Sequence, residues 1–223
     1  MSTLARLAAA LVLCLSCPAA ETIDCIAVTV GRGVITRSGI QEQARITAFL
    51  NREPVDLSPA NLRRTAERLI DVALIRREME ISHYAAPGEG DTDKIWADLR
   101  AGRNAVKPED FARALEGHGI DEAGLRRYLA LQTQTLRFVE VRFRPGTSVS
   151  DREVETFYRD NMAPEFVRQN PGKTPPELDD VRDKIEATLL EQRIDQSMDQ
   201  WLKEARTQTR VNYITGSCLA VGP

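Results

Sequence analysis

Two helix-start signals close together in the C-terminal third of the chain constrain its fold more than any other feature. One spans Ser150 to Glu153 (SDRE), and the other spans Thr174 to Glu177 (TPPE). In each, a hydroxyl residue is followed three positions later by Glu, which is the spacing of a capping box. Residues 170–173 (NPGK) between them are typical of a turn. The sequence therefore predicts two helices that a short proline-rich connection joins.

Helical patterns also dominate the preceding part of the chain. Residues 38–41 (SGIQ) form another capping-box pattern, Ser58 precedes Pro59 in the preferred order of cap and first helical residue, and Asp121 is placed to cap a further helix. The helix that follows Asp121 has two apolar tracks, which predicts packing against neighbours on both sides. We predict helices over residues 38–50, 59–81, 91–101, 108–116 and 122–144, a short one from 151 and a long one from 177.

Strand patterns occur only near the two ends of the chain. Residues 23–30 and 34–36 are rich in β-branched side chains and flank the turn Gly31-Arg32-Gly33, which predicts a β-hairpin. Residues 211–214 (VNYI) predict one more strand. The fold class that follows is mainly α, with long helices and a small β element formed by an N-terminal hairpin and the C-terminal strand.

The first twenty residues have the layout of a secretory signal peptide. Arg6 supplies the positive charge, Leu7 to Leu15 is a short apolar run, and residues 17–20 (CPAA) offer small residues for cleavage. The apolar run is too short to span a bilayer. We expect export and a mature chain, residues 21–223, without an integral membrane segment. The formal net charge of −3 gives no indication of a nucleic-acid partner.

The cysteines agree with an oxidising compartment. Of four cysteines, Cys14 and Cys17 belong to the signal peptide, while Cys25 and Cys218 stand near the ends of the mature chain. An even pair in an exported protein favours a disulfide, although two separate buried thiols are the alternative.

No pattern in the sequence indicates catalysis, a metal or a cofactor. The Gly31-Arg32-Gly33 triplet lacks the other residues of a phosphate-binding loop. His83 falls at a helix end, which favours a helix-end or surface role over catalysis, and His118 lies between two glycines, which favours a turn. Two isolated histidines also match no metal-ligand spacing. We therefore expect no catalytic residue, no metal and no cofactor.

Several stretches resemble, in the same order, the helical chaperone domain of the SurA and PrsA-like periplasmic foldases. Each stretch alone mostly reflects core spacing and helix capping, and it is their order along the mature chain that makes the resemblance specific. The stretches are the hairpin at 27–36 (AVTVGRGVIT), residues 69–78 (LIDVALIRRE), residues 111–126 around Phe111, Leu115, Gly119 and Leu125, residues 149–158 (VSDREVETFY), and the closing helix and strand from Val181 to Ile214.

The resemblance implies a chaperone that lacks its enzyme. In this family a parvulin-type prolyl isomerase domain is commonly inserted where this chain has only the connection 163–176, between an N-terminal part (21–162) and a C-terminal helix and strand (177–223). About 15 residues are too few for such a module, which needs its own core. In the family the last strand returns to the N-terminal hairpin, which would bring Cys218 near Cys25.

The predicted function is therefore that of an ATP-independent periplasmic chaperone. Its partners would be unfolded envelope or outer-membrane proteins, which bind through an apolar groove. Two alternatives stay open: a divergent peptidyl-prolyl cis-trans isomerase, and a non-enzymatic envelope scaffold with one dedicated partner. The long helices also allow a domain-swapped homodimer. Large aromatic side chains are core residues by default, and they are also the candidates for client binding: Trp96, Phe111, Tyr128, Phe138, Phe157 and Tyr158.

Overall fold

The computed structural model describes residues 24–84, 90–102 and 108–214, and within these ranges the chain is mainly helical. The signal-peptide prediction and Cys218 lie outside the described residues. In chain order the elements are β1 (Ile26–Val30), β2 (Gly33–Thr36), α1 (Arg37–Asn51), α2 (Pro59–Ile81), α3 (Gly90–Gly102), α4 (Pro108–Gly117), α5 (Glu122–Phe143), α6 (Asp151–Phe157), a π-helical segment (Tyr158–Met162), α7 (Ala163–Gln169), α8 (Leu178–Gln208) and β3 (Val211–Tyr213).

The three strands form one small antiparallel sheet in the order β2-β1-β3. Gly31 opens the two-residue turn between β1 and β2 with φ 59°, a conformation that glycine adopts without strain. In β3, Tyr213 lies opposite Val28, and the Ile214 N–H donates to the Ala27 carbonyl (3.0 Å). The predicted hairpin and the return of the last strand to it are both confirmed.

Helix α1 begins earlier than the sequence pattern predicted. Its N-cap is Thr36, whose hydroxyl accepts from the Gly39 N–H (3.2 Å). The prediction that Ser38 caps this helix is wrong, because the Ser38 hydroxyl and N–H both donate to the carboxylate of Asp24. The capping residue is therefore the one in extended conformation where β2 ends.

Side chains of α1 contribute to two separate apolar clusters. The first lies between the sheet and α2, and its largest fully buried side chains are Ile40, Ile70 and Val28. The second gathers α1, α3, α4 and α5 around Phe49, which is completely buried and meets the ring of Phe111 edge-on at 5.8 Å. Such edge-to-face pairs add to the free energy gained by burial.

Helix α5 packs on two sides, as its apolar tracks predicted. Leu125 and Leu129 belong to the second cluster, whereas Phe138 packs with Ile75 and Met79 of α2 in a third, smaller cluster. Leu136 departs from the prediction, because its side chain is 65% exposed although it belongs to the same track as Leu125.

A polar cluster attaches the end of α8 to α2 and β3. Arg206 of α8 donates to the carboxylates of Glu67 (2.8 Å) and Asp71 (2.7 Å) on α2. The Tyr213 hydroxyl of β3 also donates to Glu67. Burial alone would raise the pKa of Glu67, but the hydrogen bonds from Tyr213 and Arg206 outweigh it and hold this pKa below its ordinary value.

Helix α8 begins later than its predicted capping box. Its N-cap is Glu177, so the prediction that Thr174 caps this helix is wrong. Thr174 and Pro175 each precede a proline, and a residue before proline is driven out of the helical conformation. The helix then runs for 31 residues, which corresponds to about 46 Å.

Candidate functional site

Residues 150–194, which we call the arm, lie outside all three apolar clusters. The arm comprises α6, the π-helical segment, α7, the connection and the first half of α8. Its own buried side chains are Val154, Ile185 and Ile194. The other described residues, with the three clusters, are called the body. The arm is therefore a thin layer of helices that exposes much of its surface.

The predicted capping box at Ser150 is confirmed, and it also ties α6 to α8. The Glu153 carboxylate accepts from the N–H (2.9 Å) and the hydroxyl (2.6 Å) of Ser150. These bonds, with a further one from Arg193 of α8, hold the pKa of Glu153 below its ordinary value. A single carboxylate thus begins one helix and attaches it to the next.

A proline explains the change of helical pitch in the middle of the arm. Pro164 has no N–H to donate, and in a regular α-helix its ring would meet the Asp160 carbonyl four residues earlier. The chain instead widens into the π-helical segment, in which the Ala163 N–H bonds to the Tyr158 carbonyl. The helix resumes as α7, so the first half of the predicted connection 163–176 is helical. Such π-helical insertions are frequent at functional sites.

A groove of about 680 Å³ lies between this segment, α7 and α8. Its apolar lining comes from Phe157, Met162, Pro164, Phe166 and Ile185. Ile185 is fully buried at its base, whereas both phenylalanines are only half-buried. Large apolar side chains thus remain open to solvent in one concave surface, which is the arrangement of a site that binds apolar groups.

The rim of the groove carries charges of both signs. Asp160 and Glu165 face Arg168 and Lys184 among the lining residues. The neighbouring guanidinium of Arg159 (2.7 Å) holds the pKa of Asp160 below its ordinary value, and Arg168 does the same for Glu165. Both carboxylates are therefore ionised at neutral pH, and the rim favours neither sign of charge in a ligand.

The six aromatic residues predicted for client binding fall in different environments. Trp96, Phe111 and Phe138 are buried in the body clusters, and Tyr128 packs half-buried against the second. Only Phe157 and Tyr158 lie in the arm, where Phe157 lines the groove and the Tyr158 hydroxyl donates to the Pro176 carbonyl (2.7 Å). Sequence reasoning missed Met162 and Phe166. The signal for Phe166 was available, since it is a large apolar residue two positions after Pro164.

Both histidines lie just after a helix. His118 follows α4 in a turn, where its Nδ1 lies 2.8 Å from the Ala114 carbonyl and its ring packs edge-on against Phe49. His83 follows α2 with φ 50°. His118 occupies the turn that the sequence predicted, and His83 lies at the predicted helix end.

Three further observations concern only the described part of the chain. No group of three or more His, Cys, Asp or Glu side chains there is arranged to hold a metal ion. No helix in these ranges is both long and apolar enough to cross a membrane. Cys25 stands just before β1, and its carbonyl accepts from the Arg37 N–H (2.8 Å).

Comparison with known proteins gives a likeness in fold. No protein-family model matches the sequence, and no curated protein matches it. Among solved structures, the chain is similar to one from work on two structurally related SurA-like chaperones of Campylobacter jejuni, the virulence factor PEB4 and the periplasmic protein Cj1289. The identity is 11%, the TM-score is 0.52, and the match covers 86% of this chain and 100% of the other. The mainly helical, SurA-like fold predicted from the sequence is confirmed at this level.

Proposed function

We propose that this protein is an ATP-independent periplasmic chaperone that holds unfolded envelope polypeptides in the arm groove. The observation that carries the proposal is the contrast between the arm and the body: both phenylalanines of the arm line an open concave surface, while the phenylalanines of the body are buried. Unfolded chains differ from folded ones mainly in the apolar side chains they expose. A half-open apolar groove is suited to that difference.

The mixed charges of the rim support binding with little sequence selectivity. Asp160 and Glu165 repel acidic clients to about the extent that Arg168 and Lys184 attract them. The polar side chains of Asn161 and Gln169 can exchange hydrogen bonds with a client backbone. Affinity would then follow the apolar content of the client, as a chaperone with many clients requires.

The length of the connection supports the absence of an isomerase. Helix α7 ends at Gln169 and α8 begins at Leu178, so only residues 170–177 join them. A segment of that length cannot form a domain with a core of its own. The likeness in fold to SurA-like chaperones agrees with a chaperone role, and the signal-peptide pattern agrees with a periplasmic location.

Aggregation of an unfolded outer-membrane protein, followed by light scattering without nucleotide, tests the proposal. We expect suppression at stoichiometric concentrations, and we expect Phe166→Ser to weaken it severalfold, because the substitution removes one wall of the groove. Leu136→Ser is the matched control, since it removes an exposed apolar side chain from the body. Equal loss in both variants, or no suppression by the wild type, would refute groove-based holding.

Two further assays separate the alternatives. Uncatalysed cis-trans isomerisation of an X-Pro peptide bond takes tens to hundreds of seconds. Acceleration by this protein would therefore be readily measured and would indicate an isomerase. Capture experiments with a set of unfolded proteins distinguish a chaperone, which binds many of them, from a scaffold, which binds one folded partner. We expect no acceleration and broad capture.

A further inference from the structure

A second concave surface lies in the body, at the edge of the sheet. It encloses about 530 Å³ between residues 30–34, which form the hairpin turn and its flanks, and one face of α2. From α2 it is lined by Ala73, Arg76, Arg77, Glu80 and Ile81. It shares no residue with the arm groove.

The charge of this pocket is opposite to that of the whole chain. The pocket combines the guanidinium groups of Arg32, Arg76 and Arg77 with the single carboxylate of Glu80, whereas the chain has a formal net charge of −3. Within the described ranges, the guanidinium groups of Arg32 and Arg76 form no hydrogen bond or ion pair. Arg77 donates to the Thr209 hydroxyl (2.8 Å), a neutral partner that holds the guanidinium in place. The pocket is therefore suited to an anion.

The pocket also has an apolar wall. Ile81 is 62% exposed, and Ala73 lies two helical turns before it. An anion alone, such as phosphate, would leave this wall unused. The combination fits a ligand in which a negative group is joined to an apolar one.

Strand β2 adds unpaired backbone groups to the same place. It is an edge strand, and its Val30–Gly33 pair flanks the two-residue turn. Because hydrogen-bonded and non-hydrogen-bonded pairs alternate in an antiparallel ladder, the N–H and C=O groups of Val34 point away from β1. An extended peptide can bond to such groups. With only four residues in β2, the edge accommodates a short chain end rather than a long strand.

We propose that this pocket binds the C-terminal end of a polypeptide whose last residue is apolar. Arg32 and Arg76 bind the terminal carboxylate through charge-assisted hydrogen bonds, and the last side chain packs against Ala73 and Ile81. The preceding residue pairs with the backbone of Val34. This site is separate from the proposed arm groove, and its assignment does not depend on that groove.

Fluorescence anisotropy with two labelled peptides tests the proposal on the full protein. The peptides share one sequence that ends in an apolar residue, and they differ only in a free or an amidated C-terminus. We expect the free acid to bind about tenfold more tightly, because hydrogen bonds to a charged group are stronger than those to a neutral one. Arg76→Gln should abolish this preference. Arg64→Gln makes the same charge change about 18 Å away along α2 and should preserve it.

A second variant tests the backbone contact. Val34→Pro removes the outward N–H at an edge position, where proline is tolerated, and should weaken binding of the free acid severalfold. Circular dichroism verifies that the variant keeps its helical content. Equal binding of the two peptides, or an unchanged preference in Arg76→Gln, would overturn the proposal.

A lipid headgroup is the competing anionic ligand. Vesicles of phosphatidylglycerol that bind in an Arg76-dependent manner, while the free acid and the amide bind alike, would assign the pocket to a membrane surface and overturn the proposal. Phe166→Ser in the arm should leave the preference for the free acid unchanged. We expect this result for Phe166→Ser whether or not the arm groove holds unfolded clients.

Discussion

The arm and the body contain similar kinds of residues and use them differently. In the body, Phe49 and Phe111 meet edge-on inside a closed cluster, and both are buried. In the arm, Phe157 and Phe166 line the open groove, and both remain half-exposed. The comparison teaches that the number of packed layers, rather than composition, decides whether aromatic side chains stabilise a fold or remain available for binding.

Reduction of the disulfide predicted between Cys25 and Cys218 should affect the stability of the body and of the arm most differently. The Ile214 N–H bonds to Ala27, so β3 runs towards the start of β1, where Cys25 lies. We predict that the pair is oxidised and that reduction destabilises the body by up to about 5 kcal/mol in the chain-entropy model, less where native strain or residual denatured structure intervenes. Thermal unfolding with and without reductant measures the change.

Non-reducing mass spectrometry tests the pairing itself. Two free thiols in the exported protein, or a bridge between two molecules, would contradict it. Because Cys25 belongs to the body and the bridge includes no arm residue, hydrogen exchange of the arm amides should stay unchanged on reduction. Helical content at low temperature should also stay nearly constant.

Truncation of a body aromatic should cost far more stability than truncation of an arm aromatic. Phe49→Ala removes a fully buried ring and is expected to lower the free energy of unfolding by about 3–5 kcal/mol. Phe166→Ala removes a half-exposed ring, and the expected loss is below about 1 kcal/mol. Urea denaturation measures both. Similar losses in the two variants would mean that the arm is packed as tightly as the body.

The buried base of the groove should control the stability of the arm alone. Ile185→Ala deletes a side chain that is 1% exposed, and a loss of about 2–4 kcal/mol is expected for it. Because the arm shares no apolar cluster with the body, the loss should appear as faster hydrogen exchange in α6 and α7. Ile70→Ala in the body is the matched control. Exchange that rises equally in both regions would show that they unfold as one unit.

The polar cluster at the end of α8 should make the body sensitive to pH. Burial and the hydrogen bond to Glu67 raise the pKa of Tyr213 to about 12 from 10.0. A raised pKa contributes stability that is complete below pH 10 and is lost as the pH rises towards 12. For Glu67 the lowered pKa acts in the opposite direction, and its contribution is complete above about pH 4.5 and is lost as the pH falls through the folded value.

A tyrosine from each region provides the test of this pH dependence. We expect Tyr213→Phe to flatten the fall in melting temperature between pH 10 and 12. Tyr158→Phe, which removes the arm hydroxyl that bonds to Pro176, should keep the wild-type slope. If Tyr213→Phe retains the slope, the Tyr213 hydroxyl does not contribute to alkaline unfolding.

Sequence patterns predicted the helices and strands because each depends on local residues. Pro59 after Ser58, the turn at Gly31 and the Ser150 capping box all stand where the structure has them. Two predicted caps were wrong for reasons that local patterns do not include. Ser38 bonds to Asp24, which is distant in sequence, and Thr174 loses its capping position to the prolines that follow.

The exposure of aromatic residues was harder to predict than the helices that carry them. Trp96 and Phe157 occur in similar amphipathic patterns, yet a cation from Arg126 lies over the buried ring of Trp96 at 4.2 Å, while Phe157 faces the groove. The difference depends on how many helices pack above each ring. That number is a property of the tertiary structure and is absent from any single helical pattern.

Site-specific photo-crosslinking to an unfolded outer-membrane protein tests most directly whether the arm holds clients. A photoreactive phenylalanine analogue at position 166 in the arm and another at Leu136 in the body give two exposed reporters in one protein. We predict strong crosslinks from position 166 and few from position 136, and the crosslinks should disappear when the client folds. Crosslinks that are as strong from position 136, or that persist with the folded client, would contradict the assignment of the groove.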